Sequence, residues 1–218
     1  GGTKFDFRNT TRDAVELWTG TRGGSARSVG NAQLNPMLGS SHQWAPDGRT
    51  LLVKLIPEGA GAAPAVVAGT EGPRIQESSG GGESSTYEAR DTLQNQSDAA
   101  LFEYYGTSQL ALVDEVSGAV AKIGAPAVIT DIDFAPDGEH ILVTSIRKPY
   151  SYAVTYGRFA HDVEVWDRAG KVTPIAKLPV AEFVPIHGEP TGPREHEWRP
   201  TEPATLVWAE ALDGGDWK

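Results

Sequence analysis

Apolar residues along this chain come in short runs of three to six, each bounded by glycine, proline or aspartate. One phrase recurs, in which an aromatic residue leads through Pro-Asp-Gly into an apolar strand. Its first copy is Trp44-Ala45-Pro46-Asp47-Gly48-Arg49-Thr50-Leu51-Leu52-Val53, and its second is Phe134-Ala135-Pro136-Asp137-Gly138-Glu139-His140-Ile141-Leu142-Val143. A degenerate third runs from Trp198 through Pro200 and Pro203 to Leu206-Val207-Trp208. Proline presets φ at the second turn position, Asp bonds the local backbone and Gly accepts the left-handed conformation. Each copy therefore reads as strand, tight turn, strand. A second phrase, Val15 to Trp18, Gln109 to Asp114 and Asp162 to Asp167, predicts outer-hairpin strands. Two of these enter turns at Ser117-Gly118 and Ala169-Gly170, then partner strands at Val120 to Ile123 and Val172 to Ile175. Alternation of the two phrases gives four strands per unit, the blade of a β-propeller.

The spacing between copies is 137 − 47 = 90 residues for the two aspartates and 198 − 134 = 64 for Phe134 and Trp198. Both exceed the roughly 40 to 50 residues of a propeller blade. Insertions account for the excess: 57–100, which contains the Gly/Ala/Pro/Ser-rich Gly59 to Ser85, and 145–161. The expected division is 1–30 as the end of one blade, 31–124 as a blade with the first insertion, 125–180 as a blade with the second, and 181–218 as the start of the next. A short helix is expected at Thr86 to Gln96. The fold class is thus all-β, a partial propeller of about three four-stranded antiparallel blades, where closed rings have about four to eight. An arc this short exposes strand edges and interblade faces, so the sequence is expected to be a fragment whose other blades lie elsewhere.

Composition narrows the partners. With 29 acidic and 19 basic residues the formal charge is −10, which opposes the phosphate attraction that dominates nucleic-acid affinity. A base-stacking role for the aromatic residues would need a basic groove beside them; they are expected to fill the wedges between blades instead. No apolar run approaches the roughly 20 residues of a membrane span, and the start carries no basic-then-apolar signal. Absence of cysteine excludes disulfides and a Cys nucleophile and leaves the compartment open. The five histidines lack paired ligand spacing, and Asp131-x-Asp133 before Pro136-Asp137-Gly138 has the wrong spacing for a calcium loop. No metal or cofactor is expected. The single Trp166-Asp167 dipeptide lacks an upstream Gly-His partner, so a WD40 assignment does not follow.

Several longer phrases carry a family resemblance: Gly72 to Glu77, Tyr104 to Leu110, Pro149-Tyr150-Ser151-Tyr152, Pro190 to Arg194, and Pro203 to Trp208 continuing through Glu210 to Asp216. With Val15 to Trp18, they make nearly the whole chain resemble the prolyl oligopeptidase-like serine peptidases, in their glutamyl endopeptidase or dipeptidyl-aminopeptidase-like branch. The resemblance implies a seven- or eight-bladed propeller that caps an α/β-hydrolase domain and limits access to its Ser-Asp-His triad. The nucleophile elbow of such a domain, Gly-x-Ser-x-Gly, does not occur here. Catalytic residues are therefore expected outside the sequence, and the segment alone is expected to be non-catalytic.

In the second insertion, Arg147, Tyr150, Tyr152 and Arg158 are the candidate substrate-binding residues. Arginine binds a carboxylate through two parallel hydrogen bonds, so an acidic side chain or a peptide terminus suits it; solvated or interblade ion-paired arginines are the competing reading. The expected function is gating and substrate selection for a hydrolase domain, with peptide substrates, that domain and the remaining blades as partners. A stand-alone propeller-type binding or scaffold module is the alternative.

Overall fold

In the computed structural model, which describes residues 2–66, 91–184 and 190–212, the two Pro-Asp-Gly turns close in the same way. Asp47 accepts the Arg49 and Thr50 N–H groups, both at 2.8 Å, and Asp137 accepts those of Glu139 and His140 at 2.8 and 3.1 Å. The Gly48 and Gly138 N–H groups bond back to the Ala45 and Ala135 carbonyls, with φ of 62° and 69°. Hydrogen bonding holds the Asp47 carboxyl down at about 2, against the opposing effect of burial. Arg168 adds an interblade hydrogen bond to the same carboxylate at 3.3 Å.

These turns order three groups of strands. The first is β1 (Lys4–Thr10), β2 (Val15–Thr21) and β3 (Ala26–Gln33), an antiparallel meander. Next come β4 (His42–Trp44), β5 (Thr50–Leu55), β6 (Thr107–Asp114), β7 (Val120–Phe134), β8 (His140–Ile146), β9 (His161–Asp167) and β10 (Val172–Leu178), bonded in sequence order. The third group is the hairpin of β11 (Arg194–Trp198) and β12 (Leu206–Ala209). Strand β7 belongs to two blades. Its residues from Val120 to Val128 pair with β6, while Ile129 to Phe134 pair with β8. The continuous hydrogen-bonded run therefore resolves into two four-stranded blades, β4-β5-β6-β7 and β7-β8-β9-β10. Sequence patterning saw the two ends of β7 as separate strands because Gly124 and Pro126 interrupt the apolar alternation between them.

The alternating side chains of each blade pack against both neighbours. Leu51, Val53 and Val113 meet Leu17 and Val29 of the first sheet, whereas Leu52, Leu110 and Ile123 meet Ile132, Ile141, Val143 and Trp166 of the next blade. Leu142 and Val163 pack with Trp198 of the hairpin. Each fully buried aliphatic side chain contributes about 1.5–3 kcal/mol relative to exposure, so these interfaces hold the blades in line. Trp166 lies flat on Gly124, where any Cβ would enter the indole ring. Its Nε1–H donates to Glu164 at 2.9 Å, and Trp18 repeats this bond to Glu16 at 2.9 Å. Of the aromatic residues expected in the wedges, Phe134, Trp166 and Trp198 are buried, Trp18 and Trp44 are half-buried, and Trp208 is exposed and stacks on His196.

Polar bridges run along the inner strands. Gln43 of β4 donates to the Asp133 carboxylate at 2.7 Å and accepts the Phe134 N–H at 3.0 Å. Trp198 donates to the Asp133 carbonyl at 3.0 Å, so β4, β7 and β11 are laced edge to edge.

Candidate functional site

Because consecutive strands are antiparallel, the connections fall at two ends. The tight turns at 22–25, 45–49, 115–119, 135–139 and 168–171 share one end. The opposite end carries the β1–β2 loop, the 34–41 link between sheets, the connection 56–106 and the insertion after Ile146. All four predicted substrate-binding residues stand at this second end.

Helix α1 (Gln96–Gly106) forms part of it. The expected helix at Thr86 to Gln96 is thus corrected: 86–90 and the Gly72 to Glu77 phrase lie outside the described residues, 91–95 are not helical, and the helix begins where the expectation ended. Asn95 caps its start, accepting the Asp98 N–H at 2.9 Å. Its body was obscured because Gln96 to Gly106 carries no strong apolar stripe. The helix is held by neighbours: buried Asn35 donates to the Tyr105 and Thr107 carbonyls at 2.9 and 2.8 Å.

The two connections meet through rings. Phe102 of α1 stands edge-on to Tyr150 and Phe159, at 5.2 and 5.7 Å, and Tyr150 stacks on Phe159 at 5.8 Å. Leu38, Val128, Ile146 and Val154 close the cluster beneath them. Aromatic pairs of this kind contribute about 0.5–1.5 kcal/mol each beyond their burial. Burial, with the nearby Glu103 charge, pushes the Tyr150 hydroxyl up to about 12, so it stays a neutral donor at ordinary pH. Lys148 pairs with Glu103 at 2.5 Å and sits 5.8 Å from the Tyr150 ring centre.

The predicted set is therefore divided by environment. Arg147 forms an ion pair with Asp162 across β8 and β9 and donates to the Leu178 carbonyl at 3.4 Å. Tyr150 is a wall of the aromatic cluster. Arg158 donates to the Val184 carbonyl at 2.8 Å, at the end of the 3-10 turn Tyr156–Arg158. Tyr152 is exposed.

Sequence reasoning missed what surrounds them. Met37, Ile56, Tyr105, Tyr156 and Phe183 are also exposed at this end, Phe183 to 86%. At the tight-turn end, Val116 is the one exposed large apolar residue among the described residues of the connections. Single apolar residues scattered along a strand pattern give no warning that they will share one end. On the inner strands, Asp131, Asp133, Glu195, His196 and Glu197 line an acidic cavity of about 340 Å³. Burial raises the Asp131 carboxyl and lowers the His196 imidazole. Among the described residues, no group of three or more His, Asp or Glu side chains is placed to hold a metal ion, and no helix is long and apolar enough to cross a membrane.

No protein-family model matches the chain. It is 38% identical over 222 residues to the probable chloroplastic glutamyl endopeptidase of Oryza sativa subsp. japonica, an alignment covering 99% of this chain and 23% of the relative. It is 39% identical over 201 residues to the protein of the same description from Arabidopsis thaliana, covering 89% and 20%. The chain thus spans less than a quarter of either curated relative. Among solved structures it is similar to Pyrococcus horikoshii acylaminoacyl peptidase, with a TM-score of 0.46, 15% identity and coverage of 81% of this chain and 23% of that one. A putative TolB from Agrobacterium tumefaciens gives a TM-score of 0.47 at 12% identity, covering 96% and 56%.

Proposed function

Because the chain belongs to the prolyl oligopeptidase-like serine peptidases, on the glutamyl endopeptidase branch, we propose that it is a propeller segment whose insertion-bearing end faces a hydrolase domain and gates peptide entry. The concentration of exposed apolar side chains at that end carries this reading. Connections that expose apolar side chains at one end and tight, mostly polar turns at the other suit a one-sided interface. The aromatic cluster of Phe102, Tyr150 and Phe159 supplies a rigid base, so the exposed rings are presented without first having to be ordered.

In this proposal the chemistry belongs to the hydrolase domain, and the segment contributes shape and polar contacts. Tyr152 meets the peptide directly, Tyr150 supports it, and Arg147 and Arg158 provide positive charge beside the path. That local charge has to act against a net charge of −10 and the carboxylates of the inner-strand cavity, which disfavour acidic peptides elsewhere on the surface.

Tyr156→Asp combined with Phe183→Asp puts two carboxylates on the proposed interface at exposed positions. In the full-length protein, kcat/KM for a peptide substrate is expected to fall by about tenfold or more under conditions where the unfolding midpoint shows the variant fully folded. Val116→Asp, at the other end, is the control and should leave turnover as it is. Equal turnover for both variants would contradict the proposed orientation.

A further inference from the structure

A second cavity, of about 420 Å³, opens at the same end, between the first sheet and the following blade. Its walls are mainly Val15, Leu34, Pro36, Met37, Ile56 and Tyr105. They are set in advance of any ligand. Asn35 ties the exit of α1 to the link between the sheets, as described above, and its Oδ1 accepts the Met37 N–H at 3.1 Å. The Tyr104 hydroxyl donates to the Gly61 carbonyl at 2.8 Å, fixing the lip beside Ala60, and the Tyr104 and Tyr105 rings meet edge-on at 5.0 Å. A hydrophobic cavity of this size with a few polar groups at its mouth has the form of a small-ligand site.

Arg12 stands at the mouth. Most of the described arginines in this acidic chain have a carboxylate or carbonyl partner, as Arg27, Arg49, Arg147 and Arg168 do. The Arg12 guanidinium makes no hydrogen bond or ion pair among the described residues, and neither does the neighbouring Asp13 carboxylate at the same mouth.

We infer that this cavity binds the apolar side chain of a peptide residue whose carboxylate pairs with Arg12. Apolar walls select the side chain, and the guanidinium selects the carboxylate through charge-assisted hydrogen bonds at the mouth. The inference rests on the proposed function only for the direction from which peptides arrive.

The test is a binding measurement on the full-length protein, independent of turnover, using N-acetyl-phenylalanine, its carboxamide and N-acetyl-alanine in ligand-detected NMR titrations. The carboxamide is expected to bind about tenfold more weakly than the acid, and the alanine compound more weakly still than the phenylalanine one. Arg12→Gln should remove the difference between acid and amide while leaving amide affinity unchanged. Ile56→Asp, at a half-exposed position, should weaken all three ligands. Equal affinity for acid and amide, or binding indifferent to Ile56→Asp, overturns the inference. So does a lack of binding because a neighbouring domain covers the cavity. None of these outcomes depends on the Tyr156 and Phe183 experiment, so the two readings fail separately.

Discussion

Gly39→Ala is expected to destabilise the fold by about 3–5 kcal/mol. Gly39 lies in the link before β4 with φ of 55°, and a Cβ built there would overlap the Thr130 carbonyl oxygen of β7, far inside the 3.0 Å that real Cβ contacts respect. The obstacle is backbone, so it cannot rotate aside. Thr130 also sits where the pairing of β7 with β8 shifts register between Ile129 and Asp131, which leaves the strand little room to retreat. Gly48→Ala separates the two causes. Gly48 has φ of 62° but nothing within 4 Å of its Cβ position, so only the left-handed penalty of about 1–2 kcal/mol applies. Denaturant unfolding of the two variants measures the difference. Similar losses for both would show that the contact with Thr130 does not constrain the link.

The pH dependence of stability should reveal Lys54. Its side chain is fully buried, and its ammonium donates to the Leu38 carbonyl and, at 3.2 Å, to that of Ile129, beside Asp131. It thereby joins the link before β4 to the point where β7 passes between blades. Burial lowers the Lys54 ammonium to about 8 from an ordinary value of 10.5, with the Asp131 charge opposing that fall. Between these values the unfolded chain holds the proton and the folded one releases it, so stability rises with pH across the window. The gain is fully present above 10.5 and is lost as pH falls through 8. Relative to Lys54→Met, which keeps similar volume without charge, the wild type should gain stability with a slope that approaches about 1.4 kcal/mol per pH unit in the middle of the window, or roughly 2 kcal/mol between pH 8 and 10. Parallel unfolding titrations give this difference directly. A constant difference would mean that Lys54 keeps its ordinary affinity for the proton when folded.

Elements with a local cause were the legible ones. Asp47-Gly48 and Asp137-Gly138 specify their turns through bonds to residues two and three positions on, so the hairpins could be read without knowledge of the rest. The strand pattern around Leu52 and Leu142 likewise follows from burial on both faces. Lys54 was not legible as a buried cation, because its carbonyl partners are 16 and 75 residues away. Helix α1 was displaced in the reading because its packing on Tyr150 and Phe159, rather than its own periodicity, favours it. At the candidate site, the contacts made between β8 and β9 were not legible in the sequence. Which arginine pairs with Asp162 and which reaches the Val184 carbonyl depends on how strands β8 and β9 bring the insertion back on itself.

In the proposed orientation the insertion-bearing end faces the hydrolase domain. Cysteine is absent from these 218 residues, so a Cys introduced at Tyr152 or at Gly48 in the full-length protein can be followed by peptide mapping, and its alkylation rate measured before and after a peptide-based active-site inhibitor is bound. With that orientation, inhibitor slows labelling at 152 and leaves labelling at 48 unchanged. Protection at 48 with none at 152 would contradict it.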